Sequence, residues 1–327
     1  MNDYCKNHID GKPCKLTNRP KANQIFCDMI CQGNYRDFLV EDVEVLRARM
    51  RRPLTEDMLH NEDMVTVIIP CHKEKTWMIQ RTVDSLIENS RGPIDIYVVY
   101  DGDSGEEIKG ATTWYCSNRV GQRVIGNLVV GQTEGKYVFR LDGHCLMSPQ
   151  WDVRMKASCR DGVLVTTCFD SLDDDFKPQG RDNAFVQLRS NLTNVHGRGW
   201  KKIECREAEE ETMSITGTSF MMTRNDYNRL GGCNEKYGNW GNLGAEWALK
   251  FWLSGGRVII RTDVVCYHYY RKTTPFEVNI TQKDWAIQDL YKQFVLGEND
   301  VVTRPFEWLL YHFSHYVKWN KNANVRV

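Results

Sequence analysis

No stretch of this 327-residue chain approaches the ~20 consecutive apolar residues that a membrane-spanning helix requires. Its opening residues, Met1-Asn2-Asp3-Tyr4-Cys5-Lys6, lack the apolar core of a secretory signal, so the expected compartment is the cytoplasm. Neither sign of charge is in excess: 43 Lys and Arg face 43 Asp and Glu. That balance removes any global electrostatic case for a nucleic-acid or membrane partner and leaves only a local basic groove open. No internal repeat is present. With 41% hydrophobic and 26% charged residues, the composition is that of an ordinary globular protein.

Cysteine, by contrast, is plentiful, with 12 in the chain. In a cytosol these are reduced thiols. Cys71, Cys159, Cys168 and Cys266 stand singly among apolar residues and read as buried structural thiols.

Residues 1–35 are polar and cysteine-rich. Residues 36–63 carry Phe38, Leu39, Val43, Val45, Leu46 and Met50 at helical spacing, followed by Pro53, and read as a helical linker. The main domain, 64–276, opens with Val65-Thr66-Val67-Ile68-Ile69-Pro70, a continuous apolar run typical of a strand buried on both faces. Thr76 is placed to cap a helix carrying Met78, Ile79, Val83, Leu86 and Ile87. Gly92-Pro93 breaks that helix, and Ile94 to Tyr100 forms the next strand. A weaker helix near 121–132 precedes a strand that ends at Asp142. This alternation predicts an α/β fold with parallel strands, right-handed crossovers and ligands at the strand C-termini.

Residues 170–212 are polar and charge-dense, either a functional loop or a solvated insertion. Further on, a helix is expected over 245–254, stopped by Gly255-Gly256, and a strand over 257–268. A helical extension follows over 277–327, with helices near 281–297 and 304–320.

Asp142-Gly143-His144 is the sharpest local signal. Residues i and i+2 of an extended chain share a side, so Asp142 and His144 can converge on one ion. A carboxylate oxygen with an imidazole nitrogen suits Mn²⁺ or a similar divalent metal better than Mg²⁺. Such an ion at a strand's C-terminal end is placed to grip a diphosphate. Alone, the tripeptide reads more readily as a turn than as a metal site.

The ordered set of segments resembles the GT-A-fold glycosyltransferases of the family-2-like superfamily, closest to the polypeptide N-acetylgalactosaminyltransferase branch. Ile68 to Glu74 resembles that branch's first strand and turn, and Gln122-Arg123-Val124-Ile125-Gly126 its diphosphate-side turn. Leu141-Asp142-Gly143-His144-Cys145 resembles its metal motif. Asn239-Trp240-Gly241, Trp252, Gly255-Gly256, His268-Tyr269-Tyr270-Arg271-Lys272 and Pro275-Phe276 follow in the same order.

The resemblance implies a mixed-sheet Rossmann-like domain that moves a sugar from a UDP-sugar to a hydroxyl, with retention. His268 becomes the third Mn²⁺ ligand beside Asp142 and His144. His72, Glu74, Asp101, Arg123, Arg271 and Lys272 would hold the nucleotide, with Asp101 on the uracil. Glu246 would meet sugar or acceptor hydroxyls, with a structural helix role as the alternative. Trp240 would be a stacking platform or a core residue, and Gly217-Thr218-Ser219 would help choose the sugar. One departure matters: the family carries an acid three positions after the tryptophan, where this chain has Leu243.

The leader offers Cys5, Cys14, Cys27 and Cys31, with His8 competing for a place, at spacings that suit a structural zinc knuckle. Unliganded thiols, disulfides and an iron–sulfur cluster are the alternatives. Lys6, Lys12, Lys15, Arg19 and Lys21 would let such a knuckle touch nucleic acid, although a solvated structural cap is the preferred reading. The acceptor is expected to be a protein, a glycan or a modified DNA base. Two rivals stand beside this reading. A sugar-nucleotide pyrophosphorylase would want a glycine-rich phosphate loop, and residues 70–74 contain no glycine. A non-catalytic GT-A-like protein would bind nucleic acid or sugar through its zinc-containing leader.

Overall fold

The computed structural model describes residues 62–314, except 104, 181–184, 192–193, 202–206 and 274. For 185–191 and 194–201 the backbone alone is described. The leader, with Cys5, His8, Cys14, Cys27 and Cys31, lies outside the described residues, as does almost all of the expected 36–63 linker.

Strand β1 (Val65–Cys71) is the apolar run anticipated above, and it lies inside a nine-stranded mixed sheet. It pairs in parallel with β2 (Ile94–Asp101) on one side and β4 (Tyr137–Arg140) on the other, and β3 (Thr112–Cys116) extends the β2 edge. Beyond β4 come β10 (Phe220–Thr223), antiparallel, then β6 (Val163–Ser171), β11 (Arg257–His268) and β5 (Cys145–Met147). Short β9 (Glu209–Glu211) pairs with the first half of β11. Strands β7 (Phe185–Asn191) and β8 (Asn194–Lys201) form a separate antiparallel hairpin within the charge-dense 170–212 stretch.

Side chains alternate across β1. Val65, Val67 and Ile69 face one apolar layer, and Ile68 faces the other. Helices α1 (Thr76–Asn89) and α3 (Trp151–Ser158) fill the first layer through Ile79, Val83, Leu86, Trp151 and Met155. Helices α2 (Gln122–Gln132), α5 (Leu243–Leu253), α6 (Ile280–Leu290) and α7 (Phe306–His312) fill the second. Leu290, Phe294 and Leu309 therefore sit in the main core, although they belong to the stretch read as an extension. Short α4 (Arg224–Arg229) follows β10. Thr76 does not cap α1: Lys75 is the N-cap, without a side-chain bond, and Thr76 is the first helical residue.

Two pairings build the site. Strand β10 runs antiparallel to β4, so its entrance at Thr218-Ser219 lies at the edge where β4 ends. In the β5–β11 pairing His268 faces Cys145, the residue after His144. One strand register thus closes a gap of 126 residues between Asp142 and His268. Of the cysteines read above as structural thiols, Cys71, Cys159 and Cys266 are buried free thiols and Cys168 is buried.

Candidate active site

At the strand C-termini a cavity of ≈ 540 Å³ opens, within the range of small-ligand sites. Asp142, His144 and His268 line it and form the one group among the described residues whose ligand atoms, all within 4.8 Å of one another, suit a metal ion. His268 Nε2 lies 3.2 Å from Asp142 Oδ2. Two ligand atoms each about 2.1 Å from one ion at a right angle would lie about 3.0 Å apart, so the spacing fits. The donor set, one carboxylate and two imidazoles, suits Mn²⁺ or another borderline divalent ion.

Charged neighbours tune this group. Burial works to raise the Asp142 carboxyl, but Arg140, His268 and His144 outweigh it and hold it far below the usual carboxylate range. Arg140 Nη1 stands 2.5 Å from Asp142 Oδ1. Burial lowers the His268 imidazole despite the opposing pull of Asp142, so the ring is neutral at pH 7 and has a lone pair to give. Glu74 grips His144 Nδ1 at 3.1 Å and pairs through its other oxygen with Arg271. A carboxylate on Nδ1 fixes that tautomer and leaves His144 Nε2 free for an ion. Burial would raise Glu74, but His144 and Arg271 bring it below its ordinary value.

The sign of the pH effect follows. The folded chain holds a proton on His268 less readily than the unfolded chain. Its contribution to stability is therefore complete above pH ~6.5 and declines as pH falls below that value. Mn²⁺ affinity is expected to hold between pH 8 and 6.5 and to weaken on further acidification, because the ion and the proton compete for imidazole. Calorimetric titration across pH 5–8 checks this, and an affinity that rises on acidification would contradict it.

His72 lines the cavity, donates from Nδ1 to the Asp101 carbonyl at 2.7 Å and packs on Phe276, with ring centroids 5.2 Å apart. Asp101 also lines it, but its carboxylate accepts the amides of Val120 at 2.6 Å and Gly121 at 3.0 Å, so it shapes the turn into α2. Gly121 (φ 90°) fits that turn because a Cβ would stand 2.5 Å from Asn239 Cα. Trp240 lines the cavity and is 41% exposed, which settles its platform-or-core alternative as a surface indole.

Three expected residues lie elsewhere. Arg123 and Glu246 are completely buried and do not line the cavity. Arg123 Nε bonds Glu246 Oε2 at 2.9 Å, and its other nitrogens donate to the carbonyls of Gly238 and Gly241. Glu246 also holds Lys250 Nζ at 3.1 Å and the Asn234 amide at 2.7 Å. The roles expected for them on diphosphate and sugar are therefore replaced by a structural one. Together they brace loop 234–241, whose end forms the cavity wall. Lys272 is the third, with its side chain 89% exposed and its ammonium 3.6 Å from Asp174, outside the lining.

Arg119 and Arg140 line the cavity unanticipated. Among the described residues, the Nε atoms of both are buried without a hydrogen-bond partner, the sort of orphaned donor an anion satisfies. Arg119 also lies over Phe276, 4.6 Å from the ring centroid, and donates to the Glu277 carbonyl at 3.0 Å. For Arg140 a signal existed: it ends β4 just two residues before Asp142. Arg119 lies in a connecting turn, where no periodicity applies. Leu243 lines the wall where the family pattern has an acid. Ser219 (φ 53°) and Asn242 (φ 57°) hold left-handed backbone beside it, strain of the kind functional sites store.

The family model described as glycosyl transferase family 2 matches residues 66–231, half of the chain. The chain belongs to glycosyl transferase family 2. This family-2 chain is 25% identical over 251 residues to a putative polypeptide N-acetylgalactosaminyltransferase 13 of Drosophila melanogaster, covering 66% of the chain and 43% of that protein. It is 23% identical over 295 residues to mouse polypeptide N-acetylgalactosaminyltransferase 10, covering 82% and 48%. It thus spans about half the length of these curated relatives. A crystal structure of GalNAc-T7 with UDP, GalNAc and Mn²⁺ superposes with a TM-score of 0.60 at 15% identity, covering 78% of this chain and 57% of that one. The shared architecture is the GT-A fold: a central mixed sheet with flanking helices.

Proposed function

We propose that this family-2 chain moves a sugar from a UDP-sugar to a hydroxyl acceptor, with Mn²⁺ held by Asp142, His144 and His268. The observation that carries the reading is the convergence of these three ligands in a cavity that also presents Arg119, Arg140 and Arg271. When bound, the ion supplies Lewis-acid stabilisation to the departing diphosphate. Arg140 keeps Asp142 ionised, and Glu74 orients both His144 and Arg271. The guanidinium groups hold negative oxygens in place as charge develops on them. His72 and Phe276 offer aromatic surface to the base. Asp101, with its carboxylate engaged by backbone amides, acts on the base by shaping the turn beside it.

Retention is the favoured stereochemistry. Among the described residues that line the cavity, the carboxylates are Glu74, Asp101 and Asp142, and each is already engaged. None is free to take a proton from an attacking hydroxyl, as inversion through a carboxylate base would need. Among the described residues, Cys71, Cys145, Cys159, Cys233 and Cys266 are buried free thiols, which fits a cytoplasmic setting. The zinc-knuckle reading of the leader rests on sequence spacing alone.

Leu243 in place of an acid favours the second reading, a non-catalytic GT-A-like protein. Calorimetric titration of UDP, with and without Mn²⁺, separates the two. Binding that needs the metal and disappears in His268→Ala is the expected result. No binding under either condition would sink the transferase reading.

A further inference from the structure

A second cavity, ≈ 360 Å³, lies next to the first and shares Arg119, Asn239, Trp240 and Lys283 with it. We propose that it is an acceptor subsite for a saccharide, so that the acceptor hydroxyl belongs to a glycan; this rests on the transferase reading above. A molecule seated there touches the residues that also bound the donor cavity, so the two cavities adjoin.

The lining argues for sugar. Trp240 contributes an indole that is 41% exposed, and Lys283 Nζ lies 5.3 Å from its ring centroid. An exposed indole offers a flat apolar surface to the C–H face of a pyranose and an N–H to its hydroxyls. The other side chains are mostly neutral and polar: Asn239, Asn279, Gln282 and Tyr237. Amides carry donors and acceptors together, as a ring of hydroxyls requires. Among the described residues, the Gln282 side chain holds one long bond, from Nε2 to the Lys236 carbonyl at 3.4 Å. Among the described residues of the lining Val278 is the only aliphatic one, beside the charged Arg119, Glu277 and Lys283, so the cavity offers few aliphatic contacts to a peptide.

The wall is built rather than incidental. Gly238 (φ 80°) and Gly241 (φ 92°) flank Asn239-Trp240, and both carbonyls accept from the buried Arg123. The end of the Gln282 side chain lies 2.3 Å from where a Cβ on Gly238 would stand, so α6 packs closely on this loop. The indole is thereby presented from a fixed loop.

Saturation-transfer NMR on the full chain tests the proposal without requiring turnover. The probes are the methyl glycosides of glucose, galactose, N-acetylglucosamine and N-acetylgalactosamine, and separately a Ser/Thr-rich peptide. At least one glycoside is expected to receive saturation at its ring C–H protons. Its affinity should fall about ten-fold or more in Trp240→Ala and in Gln282→Trp, which fills the cavity. Gln282→Ala is the gentler second variant, and the unfolding midpoint shows which variants are folded. No contact with any glycoside, or contact that survives every folded variant, would overturn the proposal. So would a peptide that binds at this cavity while the glycosides do not. Metal-dependent UDP binding to the wild type, read in parallel, separates failure of this subsite from failure of the transferase reading.

Discussion

Asp142→Asn is expected to abolish Mn²⁺-dependent UDP binding and to lower turnover by about 10³-fold, with a stability loss of no more than about 2 kcal/mol. The amide keeps the shape of the side chain but removes the only anionic ligand of the group. Two neutral imidazoles alone hold a divalent ion weakly. The stability loss is small because Arg140 keeps Gln122 Oε1 at 2.7 Å and the Asp142 side chain is 24% exposed, so water reaches what the carboxylate leaves behind. Titration of Mn²⁺ and UDP into the variant, with urea unfolding in parallel, gives both numbers. Near-normal metal-dependent binding in a folded variant would remove Asp142 from the metal site.

Glu246→Gln is expected to do the reverse, costing about 3–5 kcal/mol of stability. Glu246 is 0% exposed and balances two buried cations, Arg123 and Lys250. Burial would raise its carboxyl, yet Lys250 and Arg123 keep it below its ordinary value, so it is ionised where the fold is stable. Removing the charge leaves both cations without their anion in a place water does not reach. Because the folded value is depressed, this contribution is present above the unfolded carboxylate range and is lost as pH falls through the folded value. Urea unfolding at pH 7 measures the effect. A variant as stable as the wild type would mean that Glu246 does not anchor the wall. Activity lost together with stability would reflect collapse of the 238–241 loop, since Glu246 does not touch the cavity.

This second case marks where sequence reading fell short. Spacing located Arg123 and Glu246 correctly along their segments, but it could not say which way they point. Helix α5 is buried from Leu243 to Leu253, so it has no apolar stripe to separate a core-facing side from a ligand-facing one. A carboxylate there reads as functional until its partners are seen. The same limit hid Arg119, which reaches the cavity from a turn. Leu243 was legible as a departure from the family pattern, and the structure adds that it is a buried part of the cavity wall.

What the sequence determined by itself is local: the doubly buried first strand, the helices that follow it, and the nearness of Asp142 to His144, although these two lie in the turn between β4 and β5 rather than on an extended strand. These rest on periodicity and on short separation along the chain, which act over a few residues. The tertiary structure decided which distant groups meet. The β5–β11 register set His268 beside His144, and Glu74 came to orient His144 and Arg271. The Arg123–Glu246 pair went into the core to hold the wall that carries Trp240. Those choices depend on strand order and on the burial of charge, which are settled only when the whole core closes.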